Sequence, residues 1–212
     1  MFSKLISKRI VSWLSAASLV VVCAAAQAAD EVKAPDALIK EVSVDVLDSV
    51  RNDASIKAGD VQKVIALVDA KVMPHVNFQR MTAAAVGRYW RQATPEQQKG
   101  LQDQFKILLV RTYSGALAQV KDQTVQLKPM RSSPEDKEVV VKTEVRGKGD
   151  PIQLDYRLEK GDAGWKIYDV NVLGVWLVEN YKNSFAQEIG ANGIDGLIAK
   201  LAERNKAAAA KS

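Results

Sequence analysis

The chain is nearly without histidine and cysteine, two side chains on which reaction centres are often built. Of its 212 residues, one is histidine and one is cysteine. A catalytic Ser–His pair would have to use His75, and no Gly-x-Ser-x-Gly turn supplies a serine. His75 follows Pro74, a helix-ending residue, and reads as an ordinary loop residue. A single histidine and a single thiol cannot make a zinc-type ligand set. Gly147 and Gly149 read as part of a hairpin turn, not a phosphate cradle. The acidic residues are scattered along solvated faces. Asp169, between Tyr168 and Val170, is the one carboxylate set among apolar neighbours, and it reads as the cap of a turn at a sheet edge. No enzyme activity, cofactor or metal site is expected.

A basic excess is also largely missing once the N-terminus is considered. Lys4, Lys8 and Arg9 precede an apolar stretch from Ile10 to Ala26, and Ala26-Gln27-Ala28 offers the small residues that signal peptidase requires. The stretch is short for a membrane span, is interrupted by Ser12, Ser15 and Ser18, and lacks stop-transfer charges. It predicts a cleavable signal peptide over 1–28 and a periplasmic location. Cys23 follows Val22, a poor residue for lipoprotein processing, so it reads as part of the signal helix. Cleavage leaves no cysteine, which excludes disulfides and thiol chemistry. Loss of the three basic residues leaves 27 basic against 25 acidic. Nucleic-acid binding, which needs a concentrated basic face, is not expected.

The remaining chain, 29–205, reads as a single α+β domain, with 206–212 as a flexible tail. Leu38, Val42, Val46 and Val50 recur at i+4 and predict a helix over 36–52, capped by Asp36. A second helix is expected from Asp60 to Pro74, and a third from Phe78 to Gly87. Thr94-Pro95-Glu96-Gln97 is a capping-box start, and the helix behind it carries Leu101, Phe105, Leu108, Leu109, Tyr113 and Leu117. The pattern then changes to period two. Val125 and Leu127, Val139 to Val145, Ile152 to Leu158, and Trp165 to Val172 predict about four antiparallel strands, apolar on one face. Helix returns from Leu177 to Gly190, and Asp195 is expected to cap a last one.

Two blocks carry a resemblance. The first runs Pro74-x3-Phe78-x2-Met81, then Gly87-x-Tyr89-Trp90-x2-Ala93-Thr94-Pro95-Glu96-Gln97, then Phe105-x2-Leu108-Leu109-x2-Thr112-Tyr113. The second is Trp165-Lys166-Ile167-Tyr168-Asp169-Val170-x-Val172-x-Gly174-Val175, followed by Asn180-Tyr181, Phe185 and Gly193-Ile194-Asp195-x-Leu197-Ile198. In this order they resemble the MlaC family, the toluene-tolerance auxiliary proteins. The resemblance implies a cystatin/NTF2-like sheet packed against helices around an apolar lipid cavity. It also implies a periplasmic phospholipid carrier, working between an inner-membrane ABC transporter with its substrate-binding ring and an outer-membrane lipoprotein–porin complex. Such a carrier maintains outer-membrane lipid asymmetry. Many relatives have a small residue, often serine, where this chain has Trp176.

From periodicity alone, the sheet face and the striped helix read as packed on one another. The resemblance places a cavity between them. Its expected lining is Phe105, Leu108, Leu109, Val141, Leu154, Tyr156, Val170 and Val172, with Trp176 at the corner after the last strand. Arg88, Arg91 and Lys99, beside the Thr94 helix start, are the expected docking cations, with Lys128 and Arg131 adding charge nearby. The competing readings are a small-molecule enzyme on the same kind of sheet, which would need a polar pocket with perturbed ionisable groups, a non-lipid adaptor, and a solute-binding auxiliary subunit of an ABC transporter.

Overall fold

The computed structural model describes residues 33–133 and 135–210. The signal peptide expected over 1–28 lies outside them. Helix α1 spans Pro35–Asn52 and turns Leu38, Ile39, Leu47 and Val50 inward. It starts one residue before the expected position because Pro35 is suited to the first helical site, so Ala34 precedes it without a side-chain cap. Asp53 and Asp60 cap the short α2 (Ala54–Lys57) and α3 (Val61–Lys71), each accepting two backbone N–H groups. A 3₁₀ turn at Met73–His75 carries the chain into α4 (Phe78–Val86), which Gly87 ends at φ 65°. After a second 3₁₀ stretch, Gly87–Gln92, the capping box of Thr94 and Gln97 opens α5 (Pro95–Ala118).

The sheet is an antiparallel meander in the order β1-β2-β3-β4-β5. Its strands are β1 (Thr124–Leu127), β2 (Glu138–Arg146), β3 (Ile152–Gly161), β4 (Gly164–Val172) and β5 (Val175–Trp176). The fifth strand, two residues long, is the one that the period-two pattern does not announce. Helix α6 follows directly, Leu177–Ala209. Its break is at Gly193 (φ 73°, ψ −179°), three residues after Gly190, where the sequence predicts it. Asp195 is therefore not a separate cap, and its Oδ1 instead accepts from Gln97 Nε2 at 2.9 Å, tying α6 to the start of α5. The helix also continues through Ala209, into the segment expected as a tail from 206. The run Lys206-Ala-Ala-Ala has high helix propensity, and Asn205 is buried against Gln104 just before it.

Buried side chains form three clusters. One is helical: Phe78 and Met81 of α4, Leu101, Phe105 and Leu108 of α5, and Tyr181, Phe185 and Leu197 of α6. The second joins Leu38 and Ile39 of α1 to Val139, Val141, Leu158, Trp165 and Ile167 of the sheet. The third packs α1, α2, α3 and α5 through Leu47, Val50, Ile56, Val64 and Val110. Val76 and Val170 touch both of the first two.

Candidate binding groove

Strand pairing fixes which side chains share the inner face of the sheet. Val139, Leu158 and Ile167 form one row across β2, β3 and β4, and Val141, Tyr156 and Val170 the next. Thr143, Leu154, Val172 and Val175 form a third, and Val145 and Ile152 a fourth. A bulge keeps these rows in phase. Arg157 pairs with Asp169 but Leu158 pairs with Ile167, so Tyr168 is an extra residue. Without it, either Ile167 or Val170 would point outward.

Burial along this face is graded. The first row is enclosed, at 9%, 0% and 3% exposed, under α1. In the second row Tyr156 and Val170 are half-buried, and in the third Leu154 and Val172 are. At the far end Ile152 and Val175 are exposed. Helix α1 packs over β1 and β2, and α4 and α6 over β4, so the middle strand lies between two helical walls. An apolar strip thus runs from a closed end to an open one. Its polar spot is the Tyr156 hydroxyl together with Thr143 of the third row and Ser43 of α1, and burial pushes the phenol above its ordinary value.

Five of the nine expected lining residues lie on or beside this strip: Leu154, Tyr156, Val170 and Val172 on it, and Val141 as its buried floor. Leu109 is half-buried beside the helical cluster. Phe105 and Leu108 belong to solid helix packing instead. The Phe105 ring is fully enclosed, with ring centroids of Tyr181, Phe185 and Phe78 at 5.1, 5.2 and 5.8 Å. Trp176 is a second correction. It pairs with Asn171, whose side chain is on the outer face, and its ring stacks under the Arg157 guanidinium at 3.9 Å.

The outer face also holds Asp169, 1% exposed. Its Oδ1 accepts from the backbone N–H groups of Val170 and Val178, and its Oδ2 from Arg157 Nη1 at 3.1 Å. Of the expected docking cations, Arg91 is exposed, Arg88 lies beside the Tyr89 ring, and Lys99 pairs with Asp103 at 2.5 Å. The three cluster around the start of α5, away from the groove rows. Two concavities of mixed lining, about 500 and 440 Å³, lie elsewhere, around Arg111 and Gln62. Neither includes a residue of the inner sheet face.

A one-faced antiparallel meander walled by helices, with a graded apolar strip along its inner face, is an α+β architecture suited to an apolar ligand. The MlaC protein family model matches residues 40–203, and the chain belongs to that family. It is 25% identical over 171 residues to the intermembrane phospholipid transport system binding protein MlaC of Haemophilus influenzae, covering 79% of this chain and 80% of that one. It is 30% identical over 128 residues to the toluene tolerance protein ttg2D of Pseudomonas putida, 57% of this chain and 59% of that one. Among solved structures it resembles the phospholipid-binding protein from Ralstonia solanacearum, determined in complex with a phospholipid. There the identity is 49%, the TM-score 0.79, and the coverage 82% of this chain and 98% of that one.

Proposed function

We propose that this chain is a periplasmic phospholipid carrier. It holds acyl chains along the Tyr156–Leu154 strip and moves lipid between the outer-membrane lipoprotein–porin complex and the inner-membrane ABC transporter with its substrate-binding ring. In doing so it maintains the lipid asymmetry of the outer membrane. The observation that carries the reading is the graded apolar strip, which leaves half-buried side chains where a finished core would enclose them. The likeness to a protein solved with phospholipid bound supports it. Each methylene removed from water is worth about 0.8 kcal/mol, so a chain of roughly sixteen carbons gains on the order of 12 kcal/mol. That is ample to keep a chain out of water while the carrier crosses an aqueous compartment, without any covalent step.

Organic extraction of the mature protein, purified from the periplasm, followed by mass spectrometry is expected to yield phospholipid in near-stoichiometric amount. Protein that carries none, and takes up none from vesicles, would leave the adaptor reading in its place.

A further inference from the structure

At the open end of the strip stands a two-residue hairpin whose chemistry is unusual. Val172 pairs with Val175, so Leu173 and Gly174 alone connect β4 to β5. Both have positive φ, 53° and 90°, as a mirror-image hairpin turn requires. Such turns favour Asn-Gly, because asparagine and glycine tolerate the left-handed region. Leucine does not, and a bulky residue there is an outlier. Leu173 is the one non-glycine residue with positive φ among the described residues.

Strain of this kind is ordinarily offset by burial, but Leu173 is 65% exposed. The turn is instead held from both sides by polar contacts. Gln153 O accepts the Leu173 N–H at 3.1 Å, and Asn171 Oδ1 accepts the Gly174 N–H at 2.8 Å. Beside it stand Ile152 at 41% and Val175 at 50% exposed. Ile152 and Val175 belong to the last two rows of the inner face, and Leu173 directly follows Val172 of the third row, so the three exposed apolar residues stand together at the strip's end in register. A strained, exposed leucine at the open end of an apolar strip does nothing for folding that asparagine would not do better.

We propose that Leu173, with Ile152 and Val175, forms the lip over which acyl chains enter and leave the strip. This rests on the carrier reading above. The occupant is the acyl chain of the transported phospholipid in transit. An apolar lip shortens the stretch over which an emerging chain meets water, so it acts on the rate of exchange while the resting complex is held by residues deeper in the strip.

The test compares wild type with Leu173→Asn, Leu173→Gly and Leu173→Met. Lipid content is read by extraction, and exchange by transfer of a fluorescent phospholipid between vesicles of phosphatidylethanolamine and phosphatidylglycerol. Leu173→Asn is expected to keep its lipid, to gain about 2–4 °C in Tm from the relaxed turn, and to exchange at least tenfold more slowly. Leu173→Gly, which also relaxes the turn, should slow exchange in the same way if the asparagine variant folds poorly. Leu173→Met keeps the apolar surface and should exchange at close to the wild-type rate. Asparagine and glycine variants exchanging like wild type would overturn the lip. So would a wild type that holds lipid yet exchanges none with bare vesicles, since a chain-contacting lip needs no partner. A wild type with no lipid at all would instead defeat the carrier reading itself.

Discussion

Asp169 in β4 accepts the backbone N–H of Val178, the second residue of α6, at 3.1 Å. Trp176, which precedes the helix, supplies no side-chain cap of its own. A carboxylate nine residues upstream and one strand away therefore does what an N-cap does locally, and it also holds Arg157 across the sheet. The expected turn cap becomes a joint between the sheet and the last helix.

Asp169→Ala should cost about 1–2 kcal/mol, because it removes the acceptor of a helix N–H and leaves the part-exposed Arg157 guanidinium without its carboxylate. Asp169→Asn keeps the Oδ1 acceptor and should cost less. The pH dependence has a definite sign. Burial raises the Asp169 carboxyl above its ordinary value, outweighing the Val178 and Val170 N–H groups and the Arg157 charge. A raised carboxyl holds its proton longer folded than unfolded. Its contribution is thus fullest below the unfolded value and declines as pH rises through the folded one. The stability gap between wild type and Asp169→Ala, read by urea unfolding, should narrow over that window. Glu138 and Glu144 are lowered by their cationic partners, but they are present in both proteins and cancel.

Leu154 and Val172 face each other across β3 and β4 on the half-buried part of the strip. Leu154→Asp or Val172→Asp should abolish phospholipid co-purification, since an unpaired carboxylate against an acyl chain loses its hydration. Because both side chains are only half-buried, each variant should still fold. Phe105→Ala is the contrasting case. It removes a ring enclosed by three others and should cost about 3–5 kcal/mol of stability. A charged strip variant with a full complement of lipid would move the binding site off this face.

Trp176 carries the opposite expectation. Its ring lies on the outer face under Arg157, so Trp176→Ser should leave the profile of bound lipids unchanged. The loss of ring packing and of the cation–π contact should instead lower stability by about 1–2 kcal/mol. An altered acyl-chain profile, by mass spectrometry, would return Trp176 to the groove.

Much of this was readable residue by residue. The Thr94–Gln97 capping box, the Asp60 cap and the Gly87 stop are local signals, and each helix begins or ends where its signal falls. The sheet face was readable from alternation. Its bulge was also written in the chain, since the apolar positions of β4 change parity from Trp165 and Ile167 to Val170 and Val172. The side taken by Trp176 was not. It depends on a two-residue turn placing β5 in register, and a strand of two residues has no periodicity to read. Nor does a helical stripe distinguish Phe105, enclosed by rings, from Leu109, left half-buried at the edge. That difference is made by α6, more than sixty residues later.

The cations at the start of α5 give a last expectation. Arg91 is exposed and, among the described residues, forms no salt bridge, whereas Lys99 is engaged with Asp103 one turn along. Arg91 is therefore the cleaner probe of docking. Reversing Lys99 also places two carboxylates at i and i+4, which costs a few tenths of a kcal/mol of helix stability, roughly. If this corner meets an acidic partner surface, Arg91→Glu should lower the association rate with the membrane complexes while dissociation changes little. The effect should be large at low salt and fade as the Debye length shrinks to about 8 Å near physiological ionic strength. Bound lipid should be unaffected, because neither residue belongs to the inner rows of the sheet. Stopped-flow or biosensor measurements against both purified complexes, at two salt concentrations, would separate these outcomes. Wild-type association by the Arg91→Glu, Lys99→Glu double variant at low salt would move the docking face elsewhere, with the C-terminal half of α6 the next surface to reverse.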